Sequence, residues 1–523
     1  MTRMFRYKAA LWLLPVVFAR TVLLAQSIPN PDSTLHSIIR GLNGAPLTLA
    51  KAVDLGLQNA TSVRKAEASY IAARGSARRE AGAFDPRLYF TLNHIDQQLP
   101  TASFFAGAPV LATQQTLSQT GLHLSLPIGT ELDLALSTTR LGTNSEFAFL
   151  NPEYDVLGSV SFRQPLLGGF SASARKQLTK AELDLDAEKA RYDQRVVSTG
   201  ADVERAYWDL YAAERDYAVE RLTRDRASAF LDDTELRFKA GLVGPNQVAN
   251  ARTFLAEQDL LLIEREEQLD RQSDGLASLI GTRPGGDASR YIPVDEPPSD
   301  YPADSVDTLV AGAIAGNLDL QAARHAIDAA GALAGAASWE ALPSVALVGS
   351  LGGNGLGGNN QPVIFGTDTL RITGSGSFGD AVSQVTRRQF PNWNIGVEVS
   401  IPIGFRTGLG EKERLDAMVL AAQQVYIEES RMLEEQVRGA YRELSHGQSR
   451  IAAARAGVDA AQEQVRIGLI EFHNGRLTAF ELVRLGEEFA VAQQRYSGAL
   501  VRTAKAAATL RQLTSGKYPP APH

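Results

Sequence analysis

No cysteine occurs anywhere in the sequence. Disulfide bonds, thiolate metal sites and thiol catalysis are therefore excluded. A lipid anchor of the bacterial lipoprotein type is excluded as well, because its acyl group needs a cysteine at the cleavage point. We expect any attachment to a membrane to come from the fold.

Long apolar runs and positive net charge are also missing. Beyond the N-terminus, no stretch reaches the length of about 18 apolar residues that a transmembrane helix needs, which excludes an integral helical membrane protein. The formal net charge is −7, and it becomes −11 without residues 1–25, which carry four cations and no acid. A chain this acidic is poorly suited to bind nucleic acid.

Catalytic motifs are equally scarce. The seven histidines form no pair at the helical spacing of zinc ligands, and no serine lies in a nucleophile-elbow pattern. Segments 353–358 and 374–379 match a phosphate-binding glycine pattern, but neither opens an amphipathic helix. We predict that the protein is not an enzyme and has no cofactor, and that residues 350–380 form a flexible extracellular loop.

The N-terminus has the order of a secretory signal peptide. Three cations within the first eight residues precede an apolar run over 9–19. We predict a signal peptide over 1–25, cleaved after Ala19 or Ala25, and then an extended N-terminal segment over 26–46.

The rest of the chain carries an internal repeat. Segments 203–210 and 437–444 share Val, Ala, Tyr and Leu at matching positions, 234 residues apart, and 238–241 matches 472–475 at the same spacing. Each copy is predicted to contain a helix, strands and a long helical hairpin. The predicted boundaries are 47–283 for repeat 1 with its tip near 241–247, 284–304 for a linker, 305–515 for repeat 2 with its tip near 475–481, and 516–523 for a C-terminal tail.

Long helices are the clearest structural prediction. Residues 171–240 contain no proline and a single glycine, and as one helix they would extend about 105 Å at 1.5 Å per residue. Residues 409–474 repeat this feature with more glycine. Apolar residues at three- and four-residue steps predict a partner helix, and the neighbouring Tyr207 and Trp208 are predicted to pack rather than to stack on a ligand.

Strands are predicted where apolar and polar residues alternate. Six apolar residues from Trp393 to Ile403 alternate with polar or small ones, over the length of about 9–11 residues that a tilted strand needs to cross a bilayer. Similar alternation occurs at 88–92, 122–126, 132–136 and 156–162. So few strands cannot close a cylinder alone, and a membrane does not tolerate an open sheet edge. The sequence therefore predicts a symmetric oligomer that pools its strands.

Three segments resemble the TolC family of outer-membrane channels. They are the opening of the mature domain over 47–60, the strand-to-helix junction Gln-Pro-Leu-Leu-Gly-Gly over 164–169, and the helical turn over 241–252. The resemblance covers 47–513. The hairpin predicted over 122–136 departs from it, because it exceeds the expected two strands per copy, and the sequence does not place it.

The resemblance implies an α+β membrane protein. It would be a homotrimer with one β-barrel in the bacterial outer membrane, continued by a long periplasmic α-helical barrel. The function implied is the exit duct of a tripartite efflux pump for small toxic compounds, with a periplasmic adaptor protein and a proton-driven or ATP-driven inner-membrane pump as partners. Two alternatives stay open: the exit duct of a type I protein secretion system, and a periplasmic coiled-coil scaffold or adaptor.

The hairpin tips are the sites at which the resemblance implies a gate. By motif alignment, Gln247 lies where a gating aspartate can occur, Phe472 where a tyrosine can, and Leu477 where an arginine can. We hypothesise that packing and a contact of Glu481 with Arg484 close this tip, with weaker cation preference than a double acidic ring would give. A solvated helix pair is the alternative role of those two residues. The residues predicted at the tip and constriction are Gly241, Gln247, Phe472, Gly475, Leu477, Glu481 and Arg484.

Overall fold

The computed structural model describes residues 31–286, 288–302, 305–365, 368–370 and 376–518. The predicted signal peptide over 1–25 lies outside these residues. The helices are α1 (Pro31–Arg40), α2 (Leu49–Asn59), α3 (Thr61–Ala81), α4 (Ala172–Lys239), α5 (Pro245–Ile280), α6 (Val306–Gly316), α7 (Leu318–Glu340), α8 (Phe378–Thr386), α9 (Arg406–Ser445), α10 (Gly447–His473) and α11 (Ala479–Leu513). The strands are β1 (Ala45–Leu47), β2 (Arg87–Pro100), β3 (Val110–Ser125), β4 (Glu131–Thr143), β5 (Leu150–Leu167), β6 (Tyr291–Pro293), β7 (Ser344–Asn360), β8 (Val363–Phe365), β9 (Asp368–Leu370) and β10 (Phe390–Ser400).

The chain divides into two compact units. The tip unit contains residues 31–43 together with Glu214–Glu266 and Val458–Gln494. The sheet unit contains the described residues of Gly44–Ala213, Glu267–Gly457 and 495–518. The long helices contribute residues to both units.

One six-stranded sheet dominates the sheet unit. Its strand order is β10-β7-β5-β4-β3-β2, and every neighbouring pair is antiparallel. The hairpin predicted over 122–136 is the end of β3 and the start of β4, so it belongs to this sheet. Four of the strands come from the segment 47–283 and two from 305–515, because the first segment has this extra hairpin.

The two predicted long helices differ in continuity. Helix α4 runs unbroken through 68 residues, as its lack of proline predicts. The stretch 409–474 is instead two helices, α9 and α10, separated at His446. A Cβ atom on Gly447 would lie 2.5 Å from Thr503 Cγ2, so α11 approaches α10 too closely for a larger residue there. Periodicity alone does not reveal such a contact.

The sheet unit has a helical core beside the short parallel pair β1 and β6. Tyr207 and Trp208 are 0% and 2% exposed, which confirms that they pack. The Tyr207 hydroxyl accepts the N–H groups of Val294 and Asp295, both at 3.0 Å. The segment predicted as a linker therefore holds β6 and lies in part against this core.

The tip unit corrects the prediction for 26–46. Residues 31–40 of that segment form helix α1, in which Leu35 packs against Ala218 and Val219. Ile38 and Ile39 join the same cluster, so the helix has an apolar face at steps of three and four residues. The extended prediction was wrong here because ten residues give a weak periodic signal.

The prediction of a flexible loop over 350–380 was also wrong where the structure describes it. Strand β7 continues to Asn360, the hairpin β8 and β9 follows, and helix α8 begins at Phe378. Glycine-rich sequence had suggested a loop, but the glycines of β7 accommodate α8 on the surface of the sheet. Residues 366–367 and 371–375 lie outside the described part.

Candidate functional site

Apolar side chains form one row across all six strands of the sheet. The pairing register joins Leu88, Leu122, Leu134, Val160, Leu351 and Trp393 in succession. Leu88 is 77% exposed and Trp393 71% exposed, although both are large and apolar. An exposed apolar band on a sheet face is typical of contact with lipid.

A polar row lies one residue along each strand and therefore on the opposite face. It consists of Arg87, His123, Asp133, Ser161, Ser350 and Asn394. Within it, His123 Nδ1 lies 3.4 Å from Asp133 Oδ2, and the Asn394 side chain accepts the N–H of Ser350 at 3.0 Å. The sheet thus has an apolar row on one face and a polar row on the other, as a wall between lipid and water requires.

The two hairpin turns have the same backbone geometry, 234 residues apart. Gly241 and Gly475 have φ angles of +73° and +68°, in the left-handed region that favours glycine. The Leu242 N–H donates to the Arg237 carbonyl oxygen, and the Arg476 N–H donates to the Glu471 carbonyl oxygen, both at 2.9 Å. These bonds close a Schellman turn at the end of α4 and of α10. Both predicted tip glycines therefore lie at the turns.

A cation–π contact joins the two turns in the tip unit. The Arg237 guanidinium lies 4.3 Å from the centre of the Phe472 ring, and Asp233 pairs with Arg237 at 2.9 Å. Phe472 therefore contacts a cation through its ring, whereas a tyrosine at this position would also carry a hydroxyl group. Sequence reasoning missed Arg237, because the contact joins residues 235 positions apart.

The predicted pair of Glu481 and Arg484 has a different arrangement. The Glu481 carboxylate accepts the Thr478 N–H at 2.9 Å, and the Thr478 hydroxyl accepts the Glu481 N–H at 3.3 Å, which makes a capping box at the start of α11. The Thr478 N–H lowers the pKa of Glu481, and Arg484 contributes less. Arg484 itself lies 3.5 Å from Glu488.

The two remaining predicted tip residues differ in exposure. Gln247 is exposed, and its N–H donates to the Gly244 carbonyl oxygen at 3.1 Å. Leu477 is half-buried and packs beside Gly468, where an added Cβ atom would lie 3.4 Å from its Cδ2. The small residue at 468 thus lets α10 and α11 approach near the turn.

Buried carboxyl groups occupy the part of α4 that lies in the tip unit. Glu214 is 2% exposed, and its Oε1 has no hydrogen-bond partner among the described residues. Burial raises the pKa of Glu214 to about 7 and that of Asp216 to about 6, against the opposing effect of Arg215 and Arg265 respectively. Burial also raises the pKa of Glu220. No motif in the sequence marks these acids.

The described ranges offer neither a membrane-spanning helix nor a metal site. No helix among them combines the length and the hydropathy that crossing a bilayer needs. Within the same ranges, no cluster of three or more histidine or acidic residues has a geometry that could hold a metal ion.

The comparison with known families identifies the class of protein to which this two-faced sheet belongs. A family model described as "Outer membrane efflux protein" matches residues 52–282 and 309–516. The chain belongs to the outer membrane efflux protein family. It is accordingly a protein of the bacterial outer membrane that extends into the periplasm, within the group of TolC-like channels that the sequence motifs indicate.

Individual relatives of the efflux protein family are distant in sequence. Nodulation protein T of Rhizobium leguminosarum bv. trifolii is 22% identical over 349 residues, which are 66% of this chain and 69% of that protein. Protein CyaE of Bordetella pertussis is 29% identical over 122 residues, which are 23% of this chain and 25% of that protein.

Solved structures share the fold over most of the chain. The outer-membrane channel OprN has a TM-score of 0.61 at 17% identity and covers 90% of both chains. The outer membrane protein VceC of Vibrio cholerae has a TM-score of 0.63 at 15% identity, covering 90% of this chain and 97% of that one.

Proposed function

We propose that this protein is the exit duct of a tripartite efflux pump, a passive channel that conducts small toxic compounds to the exterior. The observation that carries the proposal is the apolar row that runs unbroken across six strands, with a polar row on the reverse face. Such a sheet separates lipid from water only if it closes on itself, because a free edge in hydrocarbon leaves backbone groups unpaired.

The strand order supports closure by several identical chains, and we propose that their number is three. Strands β2 and β10 lie at the two edges of the sheet, and in the described residues neither outer edge has a partner strand. Five antiparallel steps separate them, so β2 and β10 run in opposite directions. Pairing β2 of one chain with β10 of the next therefore continues the antiparallel order around a homotrimer.

A trimer of this chain would pool eighteen strands, since each sheet has six. Two strands per copy would give twelve. Barrel diameter increases nearly in proportion to strand number, so this barrel is about one and a half times as wide. The hairpin of β3 and β4 thus widens the outer end of the duct.

The periplasmic part is a barrel of α-helices built from a tandem repeat. Its support is the double match of the family model, over 52–282 and 309–516, and the equal geometry of the two turns. The turns form the tip that docks a periplasmic adaptor and an inner-membrane pump. Exposed apolar side chains suit docking there, since Leu242 is 74% exposed and Phe480 68% exposed.

The tip is closed by packing around Gly468 and by the contact of Arg237 with Phe472, and Glu481 supplies its negative charge. Replacing Glu481 by Gln keeps an acceptor for the Thr478 N–H but removes the charge. Planar-bilayer recordings are expected to show weaker cation preference for this variant. Unchanged ion selectivity would remove Glu481 from the role.

Fractionation and pore sizing test the proposal as a whole. The duct is expected in the outer membrane, with the mass of a trimer in detergent. Polymers added on the barrel side are expected to lower its conductance even when they are too wide to enter a twelve-stranded barrel. A coiled-coil scaffold would instead wash from membranes in salt. A deletion strain that becomes sensitive to toxic compounds supports efflux, whereas one that retains a secreted protein supports type I secretion.

A further inference from the structure

Helix α8 lies on the apolar face of the sheet. Glycines of β5 and β7 permit this approach: a Cβ atom on Gly158 would lie 2.6 Å from Val385 Cγ1, and one on Gly353 would lie 3.2 Å from the Val385 carbonyl oxygen. A Cβ atom on Gly355 would collide with the Ala381 carbonyl oxygen. The glycines therefore form a shallow depression in the sheet, here called the cradle, into which the helix packs.

Side-chain bonds keep the helix in the cradle. Gln384 donates to the Leu356 carbonyl oxygen at 3.0 Å and accepts the Leu356 N–H at 2.9 Å, so it completes the β7 backbone beyond the end of β10. Ser377 and Asp380 form a capping box at the N-terminus of the helix. Because both ends are held, the position of the residues that follow α8 is defined.

A groove opens at the C-terminal end of α8. It has a volume of about 520 Å³ and includes Leu88, Leu134, Leu136, Val160 and Leu351 of the apolar face. Leu134 and Val160 are 41% and 47% exposed in it. The groove is thus lined by side chains that favour a hydrocarbon occupant.

One arginine, Arg388, stands at the rim of this groove, and Arg387 directly precedes it in the chain. Arg388 lines it directly, and its φ of +51° marks the point where the chain leaves α8 for β10. Arg387 and Arg388 are exposed, and neither has a carboxylate partner among the described residues. Arginine binds phosphate oxygens with two parallel N–H donors, so unpaired arginines beside an apolar groove suit an amphiphile with a phosphate group.

We propose that this groove binds a phosphorylated glycolipid of the outer leaflet, with an acyl chain against the leucines and its phosphate on Arg387 and Arg388. The inference rests on the proposed function, because that function directs the apolar face towards lipid. The outer leaflet is selected because α8 lies at the end of β10 opposite to the end from which α9 leaves for the periplasm. A bound lipid of this kind would anchor the rim of the duct.

Native mass spectrometry of the detergent-purified protein tests the proposal, with bisphosphorylated lipid A as the probe. Wild-type protein is expected to retain lipid A, and the double variant Arg387→Gln/Arg388→Gln to bind it at least tenfold more weakly. Val160→Trp, which fills the groove but keeps both arginines, is expected to weaken binding as well. The matched control is Arg455→Gln, an exposed arginine on α10, which is expected to bind as wild type does.

The outcomes separate this inference from the proposed function. Equal lipid A binding by the double variant and wild type would overturn the inference, as would equal binding of dephosphorylated lipid A or of phosphatidylglycerol. Trimer mass and conductance are measured on the same preparations. If wild type shows neither trimer mass nor conductance, the proposed duct is wrong. If wild type is an intact, conducting trimer but lipid A binding does not depend on the arginines, only the lipid site is wrong.

Discussion

The two helical hairpins share their turn geometry but differ in buried charge. In the first, α4 buries Glu214 and Glu220 and half-buries Asp216, and burial raises the pKa of each. At the corresponding positions, 234 residues on, the second hairpin has Gln448, Arg450 and Ala454. Equal backbone geometry therefore does not require equal chemistry, and these three positions carry carboxyl groups in the first hairpin only.

The long helical segments of the two hairpins also differ in continuity. Helix α4 passes through Ala213 without a break, whereas α10 begins at Gly447, the corresponding position. The close approach of Thr503 requires glycine there. Packing against the returning helix thus excludes a larger residue at the start of α10.

The largest expected effect comes from Glu214→Gln, which places in α4 the neutral residue found at the corresponding position 448. Since the pKa of Glu214 is raised to about 7 from its ordinary 4.5, the folded state keeps a proton that the unfolded chain releases over this range. Below pH 4.5 the folded and unfolded chains both keep this proton, so Glu214 costs no stability. The free energy of unfolding then falls as the pH rises to 7, because the unfolded chain releases the proton first. Glu214→Gln is expected to stabilise the protein by about 3 kcal/mol at pH 8 and to change little at pH 4.

Thermal melting of the detergent-purified protein at both pH values measures this effect. Glu435→Gln, which replaces an exposed glutamate on α9, serves as the control and is expected to leave the pH dependence unchanged. Identical pH profiles of wild type and Glu214→Gln would contradict a buried, protonated Glu214.

The second effect concerns the break between α9 and α10. Gly447→Ala puts a methyl group 2.5 Å from Thr503 Cγ2, and we expect it to destabilise the protein by about 2 kcal/mol through overpacking. Gly457→Ala on the same helix meets no atom within 4 Å and is expected to be neutral or to stabilise by up to about 1 kcal/mol. Equal melting temperatures of the two variants would show that the contact with Thr503 is not decisive.

A smaller effect distinguishes the starts of the returning helices. Thr478 caps α11, whereas Gly244 stands at the corresponding position before α5. Thr478→Ala is expected to cost about 1 kcal/mol and Thr478→Gly only a few tenths, because glycine is a tolerated N-cap and alanine is not. Melting temperatures that rank the two variants in the reverse order would argue against a capping role.

The smallest change in stability, together with a measurable change in channel opening, is expected at the contact between the turns. Arg237→Gln removes the guanidinium from the Phe472 ring, a loss of about 0.5–1 kcal/mol at an exposed site. In bilayer recordings we expect more frequent spontaneous opening. Lys239→Gln removes a neighbouring exposed cation as the control, and equal opening by both variants would exclude a specific contact.

The elements that the sequence predicted best are those with long periodic signals. The proline-free stretch 171–240 became α4, and the alternation from Trp393 onward became β10. Helix α1 was missed because it is short, and α8 because glycine-rich sequence around it resembles a loop. At the tips, the glycines were placed by their turns, whereas Arg237 was not found because its partner is remote in sequence.

What the sequence determined by itself was local: which segments are helical, which residues alternate, and which positions need glycine. These follow from side-chain periodicity and backbone sterics within a few residues. Only the tertiary structure decided that six strands align their apolar residues in one row, that the extra hairpin joins the same sheet, and that Glu214 is buried. Register, close approach and burial depend on contacts between segments hundreds of residues apart, which no local pattern encodes.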